Sequence, residues 1–130
     1  MTIWIFNATG LVPNNGRFEG FKASGKIGTI ENKELQNDIM DLYQENIPQL
    51  LLSTNFYTQQ KLQLFTYINT NRKRNTDSTD NLLIVLKSDE VYNMSGKLRN
   101  TDEILARYDG CIEKMKKIIG EIDTEYGKEK

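Results

Sequence analysis

The 130-residue chain has no histidine. That removes the commonest general base, every histidine-dependent triad and most catalytic zinc sites. It has one cysteine, Cys111, so no disulfide can close within the chain. A lone thiol on an apolar stripe reads as a small buried hydrophobe and says little about compartment. No apolar run approaches the roughly 20 residues of a membrane span. Met1–Phe6 (MTIWIF) is apolar but lacks the basic start and small-residue cleavage site of a signal peptide. The chain as given therefore reads as soluble, and equally as one part of a longer protein. Charge of one sign is also missing: 17 basic against 18 acidic residues leave a net −1. No global pull towards nucleic acid or an anionic membrane comes from that balance.

What is present is helical. With 38% apolar and 27% charged residues, the composition fits one domain, 1–130, with a small core and a solvated surface. The clearest pattern runs from Asn100 to Tyr126. Ile104, Tyr108, Cys111, Met115, Ile118 and Ile122 recur in steps of four and three. A second row, Leu105, Ile112, Ile119 and Tyr126, runs beside it at intervals of seven. Together they make a stripe wide enough for the core face of a bundle helix. Asn100 is placed to cap it, with Glu103 reaching back to the Asn100 backbone N–H. The two rows together exceed what short partner helices cover, so self-association is expected at any uncovered part.

The elements before it are set by helix-stopping and capping residues. Residues 1–16 read as an N-terminal plug and loop: Met1–Phe6 is a short helical end or an extended plug laying Trp4 and Phe6 on the core, and Pro13 holds Val12 extended. Arg17–Ser24 reads as a short helix presenting Phe18 and Phe21. Gly25 stops it by taking the left-handed C′ position, with Ile27 folding back on the last turn. The next helix starts near Glu31 or Asn32 and buries Leu35, Ile39 and Leu42, with Tyr43 at the edge. Run on unbroken to Thr70, it would reach about 58 Å, too long for a domain of this size. A kink or break is therefore expected near Asn46–Pro48, where proline removes one hydrogen bond and clashes with the preceding turn. Beyond it Leu50, Leu51, Tyr57, Leu62, Phe65 and Ile68 form the apolar face. Residues 69–81 (NTNRKRNTDSTDN) contain no apolar side chain and read as a long polar loop. Leu82–Leu86 (LLIVL) suits a buried strand or an inward-turned helix; with no partner strand in view, helix is chosen. Ser88 caps a short helix through Val91 and Met94, ending at Gly96.

The resulting fold is all-α: an irregular four-helix bundle from two helix–turn–helix hairpins plus short extra helices. An internal echo supports the hairpins. Ser24-Gly25-Lys26 and Ser95-Gly96-Lys97 are identical, each following a short aromatic-bearing helix and preceding a long one. A phosphate loop would need an earlier glycine, a preceding strand and Ser or Thr after the lysine, and neither copy has them. A glycine-terminated helix followed by a tight turn accounts for both.

Little in the chain resembles a catalytic site. Asp38, Asp41, Glu121 and Glu125 fall on helix surfaces flanked by lysines and read as a solvated face. Residues 77–80 (DSTD) lack the glycine and terminal glutamate of a calcium loop. Lys114, Lys116 and Lys117 interleave with Glu113 and Glu121, as helix pairing and solubility require. No catalytic, cofactor or metal residues are assigned. Arg72, Lys73 and Arg74 are the one interaction candidate, a basic knot facing phosphate or nucleic acid, offset at once by Asp77 and Asp80.

The run Gly16–Leu51 carries a recurring phrase: Phe21, Ser24-Gly25-Lys26-Ile27, Asn32-Lys33-Glu34-Leu35 and Tyr43. It resembles an uncharacterised domain of membrane-anchored bacterial proteins, in which one transmembrane helix precedes a helical extracytoplasmic region. The resemblance covers about a third of the chain well and brings no assigned activity. It implies the extracytoplasmic side of a bacterial inner membrane. The expected function is a non-catalytic helical interaction or sensory module without cofactor, binding a protein partner or itself; the alternative is a weak nucleic-acid or phosphate binder using Arg72–Arg74.

Overall fold

The computed structural model describes residues 10–77, 79–99 and 101–127. The expected all-α class holds. The chain forms α1 (Gly16–Ala23), a 3-10 turn (Lys26–Thr29), α2 (Lys33–Asp41), a π-helical turn (Leu42–Asn46) and α3 (Ile47–Asn71). It continues with α4 (Leu82–Leu86), α5 (Asp89–Lys97) and α6 (Asp102–Tyr126). Among the described residues no strand occurs, only an isolated antiparallel bridge between Arg74 and Asp80. The N-terminal plug reading of residues 1–9 and the Asn100 cap lie outside the described residues.

Contacts group the chain into two compact units, Leu11–Leu52 with Glu103–Lys130, and Met1–Gly10 with Ser53–Asp102. In the first unit Phe18, Ile27, Ile30, Leu35, Leu42, Ile47 and Ile118 form the core. Tyr43 stacks on Phe18, with ring centroids 4.3 Å apart and planes within 5°. Asn32 caps α2 by accepting from the backbone N–H groups of Glu34 and Leu35. In the second unit Leu64, Ile68, Val85 and Val91 are buried together, with Tyr67, Leu82, Met94 and Leu98 packed on them. Ser88 caps α5 by accepting from the Val91 N–H, as its position predicts.

Pro48 does not break the helix. The chain stays helical from Lys33 to Asn71, and the turn before the proline widens, so that the Ile47 N–H donates to Leu42 O five residues back. A proline in a regular helix meets the carbonyl four residues earlier and leaves it without a donor. A π turn relaxes both constraints by inserting one residue. The insertion also rotates the face beyond it. Within the first unit the buried row takes a five-residue step from Leu42 to Ile47 and then reaches Leu50. In the second unit Leu62 and Phe65, read from the sequence as part of the apolar face, are 53% and 36% exposed, while Leu64 and Ile68 pack with Val85 and Val91. The helical choice for Leu82–Leu86 is right, but the helix is not turned fully inward: Val85 is buried while Leu83 and Ile84 face solvent.

The Ser-Gly-Lys echo divides. Gly25 has φ 72°, the left-handed geometry that stops α1, and its N–H donates to Lys22 O. Gly96 is instead inside α5, which ends when the Leu98 and Arg99 N–H groups bond to Ser95 O and Gly96 O. The expected second glycine stop is corrected: the chain leaves α5 through tight three-residue turns, for which no positive φ is needed. Opposite stability effects are expected. Gly25→Ala should destabilise by about 1 kcal/mol, because alanine is strained at positive φ. Gly96→Ala meets open space and should stabilise by roughly 0.5–1 kcal/mol. Chemical denaturation of both variants checks the pair, and equal signs would contradict the assignment.

Candidate functional site

Three features of the surface bear on function, and the first is a charge cluster between α2 and α6. Asp38 lies on α2 between Leu35 and Leu42, in the row that faces the core, and is only 7% exposed. The solvated-face reading is wrong for this residue. Its spacing from Leu35 and Leu42, three and four residues, is the signal that marks it as inward. Its cover is thin, made of neighbouring side chains rather than depth of fold, and two of these are lysines one turn apart on α6. Lys114 Nζ donates to Asp38 Oδ1 at 2.7 Å and reaches Asp41 Oδ2 at 3.5 Å. Lys117 Nζ lies 2.6 Å from Glu34 Oε1, 2.7 Å from Asp38 Oδ2 and 3.4 Å from Glu121 Oε1. The contact to Asp38 Oδ2 is close in distance but not aligned as a hydrogen bond.

Oxygens of Glu34, Asp38 and Glu121 come within 4.8 Å of one another, a spacing that could hold a cation. The Lys117 ammonium stands among the same three carboxylates. The chain thus supplies a positive charge to its own acidic cluster. The interaction with Lys114, then that with Lys117, holds the Asp38 carboxyl below the usual carboxylate range, against the opposing effect of burial. Asp38 in turn raises Lys114, and Asp38 followed by Glu34 raises Lys117. None of these shifts makes a proton donor or acceptor suited to neutral pH; each locks a group in its charged form. Cys111 is buried, and burial pushes its thiol up, away from the reactive thiolate.

The second feature is the basic loop, in the other unit. Helix α3 extends to Asn71 and gives way to a loop whose two sides, 72–75 and 79–81, are hydrogen-bonded to each other. Asn75 N–H donates to Thr79 O at 2.8 Å, Asn81 N–H to Lys73 O at 3.2 Å, and the Lys73 N–H to Asn81 Oδ1 at 2.6 Å. Asn81 Nδ2 also donates to Asn71 O, tying the loop to the end of α3. The Arg72 guanidinium is paired with Asp80, whose carboxyl is lowered by the Leu82 backbone N–H and then by Arg72. Among the described residues, the Lys73 and Arg74 side chains have no ion-pair partner. The predicted knot of Arg72, Lys73 and Arg74 is thus brought together, with one of its charges already neutralised. Nearby, Leu62, Thr66, Tyr67, Thr70 and Met94 line an open groove of about 490 Å³.

The third feature is the outer side of α6. Cys111 and Ile118 are buried at 4% and 7%, whereas Leu105, Ile112, Ile119 and Tyr126 are 58%, 45%, 58% and 54% exposed. The stripe read from the sequence is therefore half covered. The inner row packs within its own unit, and the row of sevens faces out together with Met115 and Ile122. No helix among the described residues is long and apolar enough to cross a membrane.

No family model, curated protein or solved structure matches the chain.

The Asp38 cluster makes a pH prediction. A carboxyl whose folded pKa is depressed stabilises the fold above its unfolded value, about 3.9, and loses that contribution as pH falls through the folded value. Asp38→Asn should cost about 2 kcal/mol at neutral pH, the worth of a hydrogen bond to a charged partner. The gap between wild type and variant should then narrow below about pH 4. Urea denaturation across pH checks this; a gap unchanged down to strongly acidic pH would contradict it.

Proposed function

We propose that the chain is a non-catalytic helical interaction module that docks through the outer face of α6. The observation that carries this reading is the row Leu105, Ile112, Ile119 and Tyr126, four large side chains at intervals of seven, each 45% exposed or more. Scattered apolar residues on a surface need no explanation. A continuous helical row does, because each such side chain is worth about 1.5–3 kcal/mol when removed from water. The charge chemistry supports the same reading from the other side. The carboxylates and lysines that come together between α2 and α6 neutralise one another. The resemblance of Gly16–Leu51 to the extracytoplasmic part of anchored bacterial proteins fits a docking module held at a membrane surface.

The test separates docking face from core. Measured on chain dilute enough to be monomeric, Ile112→Gln and Ile119→Gln should leave Tm within about 3 °C of wild type, since substitutions outside the core change stability by under about 0.5 kcal/mol. The wild type should bind a fluorescent apolar dye, and the double variant should not. Ile118→Ala, one residue from Ile119 but buried, should cost about 2–4 kcal/mol. A loss comparable to that of Ile118→Ala in the glutamine variants would put the row inside the fold and end the reading.

A further inference from the structure

We infer that the occupant of the outer face of α6 is a second copy of this chain, paired antiparallel along α6. This rests on the docking role proposed for that face. The exposed and half-buried apolar residues fall into an unbroken three-four alternation: Leu105, Tyr108, Ile112, Met115, Ile119, Ile122 and Tyr126. These are the a and d positions of three heptads, about 32 Å of helix. The g positions, Ile104, Cys111 and Ile118, are the ones turned into the chain's own unit, where Cys111 and Ile118 are buried. Among the described residues, α6 has an intrachain neighbour on its g side, an a/d seam exposed at Leu105, Ile112, Met115, Ile119, Ile122 and Tyr126, and only exposed side chains on its e side. That is the position a dimeric bundle fills.

Charge on the e side selects the partner and the register. The row is Asp102, Asp109, Lys116 and Asp123, all exposed. In an antiparallel two-fold pair, a positions face d positions and the e rows meet. Two registers bury the seam equally well. One sets Met115 against Ile119 of the second copy, and it brings Lys116 against its own counterpart and Asp109 against Asp123. The other sets Ile112 against Met115, Leu105 against Ile122 and Tyr108 against Ile119. In that register Lys116 of each copy faces Asp109 of the other, twice over. Its like-charge contact, Asp102 with Asp123, is also made twice but falls towards the ends. With burial equal, opposite charges decide for the second register. Lys116 is engaged in the monomer by Glu113 at 2.8 Å, and both side chains are mostly exposed. Such a surface pair is weakly held and free to exchange.

The experiment is sedimentation of the full chain at low salt over a concentration series reaching tenths of a millimolar. The mass should approach twice 15.0 kDa. Lys116→Asp, which turns both cross-pairs repulsive, should weaken association about tenfold. Adding Asp109→Lys to it should restore the affinity to within about threefold of wild type, because each cross-pair is then reversed but intact. Circular dichroism confirms that the variants, both at exposed positions, stay folded. A wild type that remains monomeric at the top of the series overturns pairing with a second copy, while the docking face is judged separately by the stability of the glutamine variants. A dimer indifferent to Lys116→Asp, or not rescued by the second change, overturns the antiparallel register.

Discussion

The ion pairs between Asp38 and the two lysines of α6 set the rotation of that helix, and the rest of the first unit depends on it. Lys114 and Lys117 are one turn apart, so a single carboxylate can hold both only if that side of α6 faces α2. Cys111 and Ile118 then point inward beside them. Ile119, one residue on, is turned about 100° away and must face out. Arg107 reinforces the same rotation by donating to Gln49 at 3.1 Å while holding Glu103. The exposed apolar row is therefore a consequence of how the charges are satisfied. Apolar burial alone would not choose between two adjacent rows of similar size.

The π turn before Pro48 plays a comparable part for α3. By inserting one residue it keeps Leu42 and Ile47 in the same core despite the proline. Wide turns carry poorer hydrogen-bond geometry than regular helix. Here the cost is offset within the same stretch by Leu42 at 5% exposure, Ile47 at 4% and Leu50 at 2%.

Much of this is legible from residue spacing. The helices α1 to α6, the cap at Ser88 and the left-handed Gly25 all come from local chemistry that acts over one or two turns. The two rows of α6 are visible too. Periodicity, however, cannot say which of two adjacent rows turns inward. That depends on Lys114 meeting a carboxylate 76 positions away, with Lys117 beside it. Leu64 escapes because its burial depends on Val85 and Val91, which pack with it from later in the chain. Asp38 reads as surface because charged residues usually are, although its place between Leu35 and Leu42 marks an inward position. Gly96 looks like Gly25 in sequence. A glycine takes positive φ only where the chain after it needs that geometry, and the turn after α5 does not.

The central claim is that α6 has one row folded in and one row left for a partner. Methyl NMR of the isoleucines as a function of chain concentration tests it most directly. The account predicts that the signals of Ile112, Ile119 and Ile122 move with concentration while that of Ile118 stays fixed. Signals that move together in both rows, or in neither, would contradict it.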